Sequence, residues 1–332
     1  MPRFLPISFL CAACATACSD EPTDAGGTLS VLLEPEDVIS HGLEAGDGAD
    51  NIRDGWSVSF DKYLLAVGHI DVHLGSDESV TAEDDSIYAV DLAQLPSAGL
   101  DLWKLEDLRK GRWEFFFEQA SAKSGAKRDD SVEASDFEQM VDNDYTYLIH
   151  GELTHPEGRS CPPAELAEPG DKKPNAKKSG DNPCYDARQV RFEFGAEAQT
   201  VFGPCETDGV PGFSVAADSQ QTVSVTIHGD HLFFNGFPEG GEGGVMRLGQ
   251  WLADCDLNLD GTVTRAELEQ ITPAQLPELD ERFQLGGSPI APLKSMYDYV
   301  RSQLKTQGHM NGEGECPIDG VAHEHTEHDH DH

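Results

Sequence analysis

Apolar residues in the first two thirds of the chain recur with the two-residue period of β-strands. Runs of this kind cover 29–33, 56–74, 86–92, 112–118, 145–153, 189–194, 222–228 and 231–234. In 222–228, Val223, Val225 and Ile227 share one face, and Thr222, Ser224, Thr226 and His228 share the other. Gly, Asp, Asn and Pro separate the runs, as turns require. The run 56–74 is too long for one simple strand and predicts a bulge or bend near Asp61-Lys62 or Gly68. Two inserts interrupt the series. Residues 121–144 carry a short helical pattern around 136–141, and 156–188 read as a loop. Strands in succession without intervening helices predict an antiparallel sandwich or open barrel.

The period changes after Gly240-Gly241-Glu242-Gly243-Gly244. Val245, Leu248, Trp251 and Leu252 recur at helical spacing, a second helix follows Thr264, and a third spans about 292–307, with Leu293, Met296, Tyr297, Val300 and Leu304 on one face.

Charge narrows the possible partners. With 61 acidic against 23 basic residues the net charge is −38, which repels nucleic acid and anionic head groups and attracts cations. The first eighteen residues differ from the rest. Arg3 is the only charge before Asp20, and an apolar stretch leads into small residues, the pattern of a secretory signal. Ala15-Thr16-Ala17-Cys18 resembles the end of a bacterial lipoprotein signal, in which the cysteine is lipidated and becomes the N-terminus. Such signals usually carry Leu where Ala15 stands, and Cys14 is a second, poorer candidate. The resemblance implies export to the periplasm or cell surface and a lipid bilayer as partner, with 19–27 as a tether. Cys161, Cys184, Cys205, Cys255 and Cys316 then remain, none spaced as CxxC, and in an exported chain the expectation is disulfides. Cys161 and Cys184 bracket a Pro-, Lys- and Gly-rich excursion and form the favoured pair. Cys316 pairs with Cys205 or Cys255, and one thiol is left over.

The strongest local signal is Asp256-Leu-Asn258-Leu-Asp260-Gly261-Thr262-Val263-Thr264-Arg-Ala-Glu267. It resembles an EF-hand calcium loop at each diagnostic position. Ca²⁺ takes six to eight oxygens. The resemblance assigns side-chain oxygens to Asp256, Asn258 and Asp260, a turn to Gly261, a carbonyl to Thr262, a hydroxyl or water-mediated contact to Thr264, and a bidentate carboxylate to Glu267. Val263 is the apolar position that anchors the loop. Thr264-Arg-Ala-Glu267 also reads as a capping box, which starts a helix there. No second loop accompanies the first, since Asp142-Asn143-Asp144 lacks the glycine and the terminal acid. A solitary hand must lean on the β-domain or on another copy, which favours a structural or low-affinity site over a switch.

The fold expectation is mainly β with a C-terminal α part: a sandwich-like domain over 28–240, a helical EF-hand unit over 241–317 and a His/acid-rich tail over 318–332. Tail residues His323, His325, His328, His330 and His332 alternate with acids, and imidazole suits Zn²⁺ or Cu²⁺. Such tracts resemble those of periplasmic zinc-acquisition proteins. In the β-domain, His69 and His73 share a strand face with Asp71, His150 lies near a strand end, and His228 and His231 flank Asp230 at a strand end. These five are the candidate transition-metal ligands. GxSxG, HExxH, P-loop and dinucleotide-binding signatures are absent. The leading expectation is an exported, non-enzymatic calcium-binding protein. Its rivals are a transition-metal handler and a metal-dependent enzyme.

Overall fold

The computed structural model describes residues 26–177, 182–237, 245–276 and 284–318. The signal-like segment with Cys18, most of the tether, the Gly240–Gly244 hinge and the tail histidines His323, His325, His328, His330 and His332 lie outside the described residues.

The chain is mainly β, with 43% strand against 16% helix. The principal strands are β1 (Gly27–Pro35), β2 (Ser57–Leu74), β3 (Asp77–Asp91), β4 (Leu100–Leu108), β5 (Gly111–Gln119), β6 (Tyr147–Thr154), β7 (Gln189–Ala196) and β8 (Gln220–Ile227), with short strands β9 (Thr262–Thr264) and β10 (Gly308–Met310). The helices are α1 (Asp37–His41), α2 (Ala134–Asp142), α3 (Gln250–Ala253), α4 (Arg265–Leu268) and α5 (Met296–Leu304). One sheet runs in the order β10-β8-β1-β4. The other, of nine strands, runs from Thr200–Phe202 through β5, β2, β6 and β7 to β9, with β3 also on β2. Most ladders are antiparallel, but β1 with β8, β7 with β9, and β3 with the short strand Lys127–Arg128 are parallel.

Strand β2 changes partners along its length. Residues Ser57 to Leu65 pair with β6, and the later half pairs with β5 and β3. Register shifts fall between Phe60 and Lys62 and between Gly68 and Ile70, at both of the alternative positions expected for a bend. Tyr63, Leu65 and Val67 enter the main core, while Leu64 and Ala66 face a second cluster with Met140 of α2. The insert 121–144 thus covers the outer face of the sheet, which is why this stretch is apolar without alternation.

Three expectations shift. The run 231–234 is not a strand; it belongs to a buried 3₁₀ turn, Gly229–Phe233. Strand β4 was not anticipated. The helices flanking the loop are single turns of four residues each, shorter than the periodicity suggested. Trp251, Leu252, Val263, Leu268, Met296, Tyr299 and Val300 belong to the same hydrophobic cluster as Leu29, Val31, Phe115, Phe192 and Val225. Cys161 bonds Cys184, Cys205 bonds Cys316, and Cys255 is the leftover thiol, buried in the core. Among the described residues no helix is long and apolar enough to cross a membrane.

Candidate metal sites

The loop 256–267 is held at both ends. Before it, the first N–H groups of α3 reach the Asp54 carboxylate, Gln250 at 2.8 Å and Gly249 at 3.1 Å. Trp251 and Leu252 then enter the core. After it, Leu268 is fully buried. Leu259 and Gly261 adopt φ of 58° and 93°, which curls the chain back on itself. A Cβ on Gly261 would meet nothing within 4 Å. The positive φ, and not crowding, is therefore what calls for glycine there.

Inside the loop the acceptors converge by hydrogen bonds to backbone N–H groups. Asn258 Oδ1 accepts from the Asp260 amide at 2.8 Å, and Asp260 Oδ1 from Thr262 at 2.8 Å. Asp256 Oδ2 accepts from Gly261 at 3.0 Å. Glu267 reaches across the ring. Its Oε1 accepts from Leu257 at 3.0 Å, and its Oε2 from the Thr264 amide at 2.9 Å and hydroxyl at 2.8 Å. This is the capping box of α4. Asp256 is 2% exposed, and its Oδ1 is buried with no hydrogen-bond partner. Burial pushes the Asp256 carboxyl up to about 6, and the neighbouring Glu267 and Asp260 charges add to that.

The sheet pairs with the loop along one edge. Thr262, Val263 and Thr264 pair in parallel with Arg191, Phe192 and Glu193 of β7, and the Arg191 amide donates to Gly261 O at 2.8 Å. Val263 is fully buried beneath this ladder. The excursion 156–177 closes the other side. The Glu168 amide donates to Leu257 O at 2.8 Å, and the Lys172 ammonium bonds Leu259 O. The Cys161 amide, at the disulfide, donates to Asp254 Oδ1 at 2.7 Å. The sequence left this excursion as a plain loop because no periodicity marks it.

The candidate histidines separate into two groups. His69 lies 3.6 Å from Asp85 and 3.9 Å from Glu118, and His73 lies 2.8 Å from Asp71. His150 stands opposite Lys62 and Glu193, and burial pushes its pKa down. These three do not join a ligand cluster among the described residues. His228 and His231 do, together with His309, which sequence reasoning passed over. One nitrogen from each lies within 4.8 Å of the others. Glu36, His228 and Asp230 form a second group sharing His228. No periodicity or motif marks His309; only the pairing of β10 with β8, which sets His309 opposite Thr226, brings it there.

The chain matches no protein family, no curated protein and no solved structure.

Proposed function

We propose that this is an exported calcium-binding protein, non-enzymatic, in which one EF-hand-type site fastens the C-terminal segment to the β-sheet. The observation that carries the reading is the Asp256 carboxylate. Its Oδ1 is buried without a hydrogen-bond partner inside a ring of oxygen acceptors. A buried carboxylate oxygen without a partner costs free energy, and a divalent cation repays it. Asp256, Asn258, Asp260, Thr262, Thr264 and Glu267 would hold the ion, an all-oxygen donor set suited to a hard cation.

Two features favour a structural clamp over a switch. Signalling hands open long helices, whereas α3 and α4 are single turns anchored in the core. The β7–β9 ladder ties the loop to a large sheet. Two sheets meeting over one cluster, followed by this short helical segment, support a sandwich-like domain with a small EF-hand unit. Two disulfides fit an oxidising compartment, in line with export.

Calcium titration of the purified chain by calorimetry tests the reading. With Kd of roughly 10⁻⁴ to 10⁻³ M, as in extracellular modules, 10 mM calcium stabilises by about 1.4–2.7 kcal/mol. Glu267→Gln retains a capping-box residue but loses the charged bidentate ligand. It abolishes the calcium-induced rise in Tm while moving the calcium-free Tm little. An unchanged calcium affinity in Glu267→Gln would falsify the assignment.

A further inference from the structure

We propose that His228, His231 and His309 form a second, separate binding site for a divalent transition-metal ion of the zinc and copper class. Three local features build it. His228 follows β8 as the extended residue before the 3₁₀ turn Gly229–Phe233, and His231 lies three residues on, within that turn. The turn redirects the chain after His228, so that the two ring centroids lie 5.5 Å apart, where a continuing strand would have sent them to opposite faces. The β10 ladder then adds His309. Ring centroids are 4.1 Å apart for His228 and His309, 5.3 Å for His231 and His309, and 5.5 Å for His228 and His231.

The hydrogen bonds around the rings set which nitrogens carry lone pairs. His228 Nε2 lies 3.1 Å from Gly312 O, and a carbonyl only accepts, so Nε2 carries the proton. The lone pair of a neutral His228 is therefore on Nδ1. The Thr306 hydroxyl donates to Gln303 O at 2.8 Å, so it accepts from His231 Nδ1 at 2.9 Å. The lone pair of His231 is then on Nε2. Metal-ligating histidines are oriented in this way, the second ring nitrogen donating to a carbonyl or hydroxyl.

The charge balance also suits a cation. Glu36 and Asp230 flank His228. Asp230 is 1% exposed and pairs with Arg247 through Oδ2, while its Oδ1 is buried without a hydrogen-bond partner. Three imidazoles are the donor set that zinc and copper prefer over calcium. Tetrahedral ligation at 2.0–2.1 Å needs nitrogens about 3.4 Å apart, so a spread of up to 4.8 Å closes by small ring rotations. His309 is only partly buried, which leaves the ion a way in.

The tail histidines would mask this site in solution. The test therefore uses the full chain with His323, His325, His328, His330 and His332 all replaced by Asn. Titrated with Co²⁺, this chain shows one equivalent of four-coordinate visible absorption, which Zn²⁺ displaces. His309→Gln weakens binding by more than the about 10- to 100-fold that outer-shell changes cost. Thr306→Val weakens it by about 10-fold and Thr306→Ser restores it, because only the hydroxyl orients His231. X-ray absorption of the zinc-loaded chain needs no cluster variant, and it finds three imidazole nitrogens at about 2.0 Å. An all-oxygen shell, or equal zinc affinity in His309→Gln, overturns the proposal and leaves a purely hydrogen-bonded histidine cluster. Glu267→Gln leaves cobalt binding unchanged, which separates this outcome from failure of the calcium site.

Discussion

The loop 256–267 gathers its oxygen acceptors within twelve consecutive residues, whereas the histidine cluster draws its nitrogens from residues 228, 231 and 309. The loop shapes itself: hydrogen bonds between near neighbours hold Asn258, Asp260 and Glu267, and the sheet adds only the β9 ladder. The cluster has no such local logic. Two of its rings meet through a 3₁₀ turn, and the third arrives on a strand that must first pair with β8. Local geometry makes a site readable from sequence. Long-range pairing hides the third ligand, His309, from the sequence, though it is no less defined in the folded chain.

The two disulfides offer the largest handle on this contrast. Cys205–Cys316 closes a separation of 111 residues and secures the segment that carries β10. Chain entropy assigns it about 4.8 kcal/mol, against about 3.4 kcal/mol for Cys161–Cys184 with a separation of 23. Replacing Cys205 and Cys316 with Ser lowers Tm more, and costs cobalt binding before calcium binding. Replacing Cys161 and Cys184 does the reverse, because the disulfide holds in place the Cys161 backbone amide that donates to Asp254 Oδ1 beside the loop. Chemical denaturation paired with the two metal titrations reads both. Loss of both metals together in either variant would erase the distinction between the regions.

A smaller effect isolates the loop. Gly261→Ala forces an L side chain into φ of 93° and costs about 1–2 kcal/mol, although its Cβ has open space. Gly261→Asn recovers part of that, because Asn tolerates the left-handed region. A Gly261→Ala variant as stable as the parent would mean that the turn relaxes.

The smallest expected effect is on pH. In the metal-free fold Asp256 holds its proton up to about pH 6, above its unfolded value near 3.8. Its ionisation therefore disfavours the metal-free fold as pH rises between those values. Calcium requires the ionised form, so the calcium-induced rise in Tm is full at pH 7.5 and shrinks at pH 5. Thermal melts with and without calcium at the two values measure it. An undiminished rise at pH 5 would show that Asp256 titrates lower.

Much of the β architecture was legible because burial on one face imposes alternation. Strand β4 escaped for an identifiable reason. Leu100 and Leu102 alternate in one phase, Trp103 and Leu105 in the other, and the register skips at Leu102 where Leu32 meets Asp101 and Val31 meets Trp103. A bulge reverses the phase, and periodicity alone reads that as noise. The segment 231–234 reads as a strand because a fully buried apolar run looks alike in a strand and in a 3₁₀ turn.

By itself, the sequence determined the acceptor order of the loop, its capping box, the Cys161–Cys184 pairing and the β character of the chain. These depend on contacts between residues close in the chain or on the period of a single element. Only the tertiary structure decided that Cys205 and not Cys255 meets Cys316, and that β7 is the strand that pairs with the loop 256–267. It also decided that, of the β-domain histidines, only His228 and His231 join His309. Those outcomes depend on which distant segments pack together, and that is settled by the burial of one shared core.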